Sequence, residues 1–157
     1  MRLFDSSGSQ MSQVNHRFEN LKGAVKRDGI RVGILSTWDV ENNAIRVLSA
    51  VLRQGGHHCT EIYFKDWISN HLDPASTREL EALGEIIRKQ QLNMLCISIR
   101  ASSYAQQSVI ITEYVQNEFE IPVLWGGMHP TMDPEGSIGV ADMVLNGEGE
   151  PALLDLV

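Results

Sequence analysis

Two stretches of this sequence concentrate residues able to bind or react. WGGMHPTMDPEG (125–136) follows an apolar run and supplies two adjacent glycines, a histidine and two prolines. NGEGEP (146–151) follows a second apolar run and supplies two more glycines and two carboxylates. Adjacent glycines let a ligand reach the backbone with no Cβ in the way. Prolines hold such a segment in one shape, which suits a preorganised surface. Gly126-Gly127 also fits a plain turn. Gly147-Glu148-Gly149-Glu150-Pro151 also fits a helix start, where proline and carboxylates complement the first turn. Both readings stand for both segments. The acids make the second a poor phosphate cradle, and neither GxGxxG nor GxxxxGK(S/T) occurs.

Two further loops carry candidates. Ser98, Ser102 and Ser103 cluster after an apolar run and fit either a polar ligand contact or a solvated loop. Thr37 and Trp38 open the segment TWDVENN, in which Trp38 can stack on a ligand or pack in a core, and Asp39 reads as a helix cap. Ser98 and Ile99 stand where a receiver domain would keep its phospho-accepting aspartate, which excludes that reading. His129 lies on the same edge as these loops, with no second histidine or carboxylate at metal-ligand spacing. Histidines 16, 57, 58 and 71 read as solvated or capping residues. No Ser-His-Asp or Cys-His set is suggested.

The elements that must position these loops alternate. Apolar runs at 30–36, 58–64, 93–99, 122–127 and 142–147 read as strands. Helical spacing covers 40–56, 76–90, 104–119 and the stretch from 150. Ser76 and Glu79 make a capping-box pattern, and the Gly55-Gly56 pair ends the first of these helices. Strand–helix alternation implies a five-stranded parallel sheet, doubly wound and flavodoxin-like (Rossmann-like), with helices on both faces. In that fold ligands sit beyond the carboxyl ends of the strands, which is where both glycine segments emerge. Ahead of the domain, 1–12 reads as a loose leader. Val14, Phe18, Leu21 and Val25 then mark a short N-terminal helix, packed on the outside or on another partner. The chain thus divides into 1–29 and a domain at 30–157.

Bulk properties narrow the partners. The 157 residues fit one domain, 43% hydrophobic, with a net charge of −7 and no basic block. That balance argues against nucleic acid and anionic membrane surfaces. No run approaches the ~20 apolar residues that span a bilayer. Cys59 and Cys96 read as buried strand thiols, without the neighbours of a metal site or a disulfide framework. The expected compartment is the cytoplasm.

Four stretches together carry a resemblance: VGILSTWDVENNAIRVLSAVLRQGGH (32–57), LCISIRASS (95–103), VLWGGMHPTMDPE (123–135) and ADMVLNGEGEPALLDL (141–156). With GGxHPT, AD-x-V and GEGE in order, the chain resembles the cobalamin (vitamin B12)-binding N-terminal domain of radical S-adenosylmethionine enzymes. The resemblance implies cobalamin on the carboxyl edge of the sheet, its nucleotide tail inserted beside the strand ends. It assigns Ser98, Ser102, Gly126 and Gly127 to the tail pocket. His129, Thr131, Gly147 and Glu148 fall on neighbouring loops, with Thr37, Trp38 and Ser103 as further contacts.

Two departures qualify what is carried over. Cobalamin mutases hold cobalt with the histidine of Asp-x-His-x-x-Gly between first strand and first helix. This chain has Asp39 there but no histidine, which implies base-off cobalamin with no protein histidine on cobalt. Nor is there a Cys-x-x-x-Cys-x-x-Cys for an iron–sulfur cluster, or any other catalytic motif. The expectation is a domain cut from a longer methyltransferase or cyclase. Its C-terminal radical S-adenosylmethionine domain would bring S-adenosylmethionine and a 4Fe–4S cluster. A reading from another class is a flavodoxin-like domain that has lost cobalamin and serves substrate docking or protein interaction. A third, a small flavin or nucleotide binder, is opposed by the acidic GEGE segment.

Overall fold

The computed structural model describes residues 16–19, 21, 29–65 and 72–157. Residues 16–19 and 21 are helical (α1). Then follow β1 (Arg31–Thr37), α2 (Asn43–Gln54), β2 (His58–Phe64), α3 (Thr77–Gln90) and β3 (Met94–Ser98). A 3₁₀ turn at Ser102–Tyr104 leads into α4 (Ala105–Phe119) and β4 (Val123–Gly126). Two short helices, α5 (Met128–Met132) and α6 (Pro134–Ile138), precede β5 (Met143–Val144) and α7 (Gly149–Leu156). The leader at 1–12, Val14, Val25 and His71 lie outside the described residues.

All five strands are parallel, in the order β2-β1-β3-β4-β5. This is the expected flavodoxin-like α/β fold. The direction of winding reverses between β1 and β3, whose register pairs Ser36 with Ser98. Side chains alternate across the strands and build two cores. Leu35, Ile97 and Trp125 meet Leu83 and Ile87 of α3 and Ile111 and Val115 of α4 on one face. Ile34, Cys96, Leu124 and Leu145 meet Ile45 and Leu52 of α2 and Leu153 of α7 on the other.

The helix boundaries follow from caps. Ser76 and Glu79 form the capping box of α3, and Gly55 closes α2. Helix α2 starts later than its apolar pattern suggests, because Asn42 and not Asp39 is its cap: Asn42 Oδ1 accepts the Ala44 N–H at 3.1 Å. The segment after β4, expected as a helix-breaking loop, is helical. Pro134 occupies the start of α6, where its missing N–H costs nothing, and Asp133 accepts the Gly136 N–H at 3.1 Å. The fifth strand shrinks to two residues, although the Leu145 N–H still donates to Trp125 O at 2.8 Å.

Helix α1 is not an outlying element. Leu21 is buried in the α2/α7-side core, with Phe18 packed against it. The Arg17 guanidinium pairs with Asp142, which also accepts the Val123 N–H at 2.8 Å and the Gln116 amide at 3.2 Å. One buried carboxylate thereby ties α1, α4, β4 and β5 together.

Candidate functional site

The reversal of winding leaves a gap between the loops after β1 and β3, and Asn42 fills it. Its Nδ2 donates to Ser36 Oγ and to Ser98 Oγ, both at 3.0 Å. Both amide hydrogens are then used, and both hydroxyls act as acceptors. A serine that accepts keeps its own proton to give. Ser98 also lines an open cleft, so the arrangement presents an O–H donor to whatever enters. Sequence reasoning missed Asn42; the only local signal was an Asn just before a helical apolar pattern. Across the same gap, Arg100 bonds Asp39 Oδ2 at 2.7 Å, and Asp39 Oδ1 accepts the Glu41 N–H.

The cleft is about 130 Å³ and opens at the carboxyl edge between the sheet, α2 and α7. Ile34, Cys96, Leu124 and Leu145 make an apolar floor, with Leu48 of α2 and Leu153 of α7 on the sides. Burial pushes the Cys96 thiol far above its ordinary range, so the floor offers a neutral thiol and no thiolate. Gly126, Gly127, Gly147 and Gly149 form the rim. A Cβ on Gly126 would make only ordinary van der Waals contact, at 3.9 Å from the Leu124 and Leu145 side chains. Gly127 differs: its φ is +102°, and a Cβ would stand 2.8 Å from Ile99 O.

A glycine-rimmed apolar slot with a hydroxyl donor, at the winding reversal of a 2-1-3-4-5 sheet, suits a flat, partly apolar ligand with an acceptor atom. A family model described as the B12 binding domain matches residues 30–157. The chain belongs to the B12-binding domain family. No curated protein matches beyond that.

In this cobalamin-binding domain the site residues expected from sequence divide into three groups. Ser98, Gly126, Gly127 and Gly147 come together on the cleft, and Glu148 is exposed just ahead of α7, with no side-chain capping bond. Ser102 and His129 meet each other outside the cleft, with Nδ1 and Oγ 3.1 Å apart. Ser103 is exposed beside them, and Thr131 donates its hydroxyl to Gly127 O at 2.8 Å, bracing the rim. Thr37 and Trp38 are turned away. Thr37 is fully buried on the α3/α4 side, and Trp38 is buried against Tyr104 with ring centroids 5.6 Å apart. Core packing thus takes the tryptophan that could have stacked on a ligand. Among the described histidines, only His129 lies on this edge. His16 and His58 are exposed, and His57 is half-buried, its Nδ1 accepting the Ile30 N–H at 3.2 Å.

No described helix is long and apolar enough to cross a membrane.

Proposed function

We propose that this domain carries base-off cobalamin for a radical S-adenosylmethionine enzyme of the methyltransferase or cyclase type. The observation that carries the reading is the cleft itself. Its apolar floor suits the flat base of the nucleotide tail, its bare Gly126 wall admits close approach, and Ser98 can donate to a ring nitrogen. Cobalamin, when bound, supplies a cobalt–carbon bond whose alkyl group can be transferred. The chain's own residues bind and orient it. The cleft is smaller than the about 300–1,000 Å³ of sites that enclose a small molecule.

The absence of a protein ligand to cobalt rests on the loop between β1 and α2. It contains no histidine, and its Asp39 is engaged by Arg100, a cation that cannot ligate a metal. On this reading a 4Fe–4S cluster and S-adenosylmethionine would be held by a partner domain and not by this chain's residues, which include no three-cysteine motif. The competing reading, a docking module without cobalamin, draws on Met128 and Met132. They are 60% and 74% exposed at i, i+4 spacing on α5. It loses support from the N-terminal apolar stripe, because Leu21 and Phe18 face the domain's own core.

The test is titration with hydroxocobalamin, desalting, and a visible spectrum. One retained equivalent with a base-off spectrum is expected. A base-on spectrum would keep the ligand and overturn tail insertion. A colourless protein would favour the docking module, and a yellow one as purified would point to flavin.

A further inference from the structure

The amino-terminal edge of the sheet carries a second cleft, of about 240 Å³. It lies between the starts of β1 and β2, where Arg31 pairs with His58. Arg31 lies three positions along β1 from Ile34 of the first cleft, about 10 Å at about 3.3 Å per residue. Its lining includes Arg31, Arg53, His57, His58, Thr60 and Gln90. In a chain with 13 Lys+Arg and 20 Asp+Glu, two arginines and two histidines around one hollow depart from the average.

The donors are arranged and largely unspent. Arg31 is half-buried, and its guanidinium has no hydrogen bond or ion pair among the described residues. Arg53 is steered by one bond, from Nη2 to Cys59 O at 3.0 Å. Its ion pair with Glu61 is long, 3.4 Å, with the arginine side chain 53% exposed. Such a pair is weak and easily exchanged for a better anion. His57 Nδ1 accepts from Ile30 N–H, so the neutral ring carries its proton on Nε2 and donates from there.

Helix carboxyl ends at this edge would oppose an anion if their carbonyls were open. They are closed. The N–H groups of Gly55, Gly56 and His57 cap Val51, Arg53 and Leu52 of α2. Those of Gln91 and Leu92 cap Arg88 and Ile87 of α3.

We infer that this cleft is a second binding site, for a small phosphate-class dianion: inorganic phosphate or a compact phosphate monoester. Guanidinium forks match phosphate oxygens in pairs, and the hollow is of a size to hold a phosphate group. The inference does not rest on cobalamin binding, because the two clefts share no lining residue.

The experiment is calorimetric titration of the full chain with inorganic phosphate, then with glycerol phosphate, at low ionic strength. Saturable one-to-one binding is expected. Arg31→Gln should weaken it about tenfold or more, since it removes a charge-assisted contact. Arg46→Gln, an equal charge change on the exposed face of α2 and outside the cleft, should leave it unchanged. Should Arg31→Gln not melt cooperatively, Arg53→Gln gives the same reading. Tighter binding of the ester assigns the site to a monoester, and tighter binding of phosphate to the free ion; either upholds it. Linear, unsaturable heats, or equal losses in Arg31→Gln and Arg46→Gln, would overturn it.

Discussion

The two glycine-rich segments look alike in sequence and differ in why they need glycine. In the segment after β4, one glycine serves the fold and its neighbour serves the cleft. Gly127 has φ +102° and ψ −165°, backbone that side chains avoid, and it lies against the Ile99 peptide. Gly126 ends β4 without a positive φ, and a Cβ there would touch only the Leu124 and Leu145 side chains, at an unstrained 3.9 Å. In the segment after β5 the division is different. Gly147 has φ +94° with nothing within 4 Å of its missing Cβ, so only the turn requires it. Gly149 has no such φ; a Cβ there would meet the flexible Leu48 side chain at 3.1 Å. The first segment is shaped against backbone, the second against one movable side chain. The first should therefore be the rigid side of the cleft and the second the side that yields.

Substitutions can break this contrast. The largest effect is expected from Gly127→Ala. Both the φ/ψ region and the Ile99 carbonyl oppose it, and it should cost about 3 kcal/mol of stability in urea unfolding. A loss under about 1 kcal/mol would mean that the rim is not rigid there. Next comes Gly126→Val, which places new methyl groups on the cleft wall beside Leu124 and Leu145. Overpacking of about 2 kcal/mol corresponds to about 30-fold weaker hydroxocobalamin retention, with the melting temperature unchanged. Wild-type retention would remove Gly126 from the binding wall. On the other segment, Gly147→Ala should cost about 1–1.5 kcal/mol from its φ alone. Gly149→Ala should cost about half a kcal/mol, as Leu48 gives way. If the second pair proved as costly as Gly127→Ala, the yielding side would be misassigned.

The sheet and its helices were legible because their signals are local. Strand runs and the 3.6-residue spacing of Leu80, Leu83 and Ile87 need no tertiary knowledge. The carboxyl-edge location followed from the alternation alone. What stayed hidden depends on register or on distant partners. Pro130 and Pro134 read as helix breakers, yet both sit inside short helices, one of them capped by Asp133. Trp38 takes a positive φ of 53° and buries its ring on Tyr104, which no neighbour in sequence announces. Arg17 and Asp142 meet across 125 positions. Asn42 matters because Ser36 and Ser98 are register partners, and that pairing exists only once β1 and β3 are aligned.

The most informative substitution is one that changes hydrogen-bond polarity and leaves shape alone. Asn42→Asp keeps the size and the cap, since Asp and Asn cap helices equally well and the Ala44 N–H still finds an oxygen. A carboxylate only accepts, so Ser36 and Ser98 must now donate to it. Ser98 then has no proton left for an acceptor in the cleft. Loss of one neutral hydrogen bond of about 1 kcal/mol predicts about fivefold weaker hydroxocobalamin binding, while burial of the new carboxylate lowers the melting temperature. Ser98→Ala removes the same donor by deleting the hydroxyl and should weaken binding by a similar factor. The double variant should then add nothing, because a proton can be lost only once. Additive losses in that cycle would mean that Asn42 meets the ligand itself. Unchanged binding in both single variants would make the Ser36–Asn42–Ser98 cluster a loop clamp, and leave the glycine wall and apolar floor as the whole of the recognition.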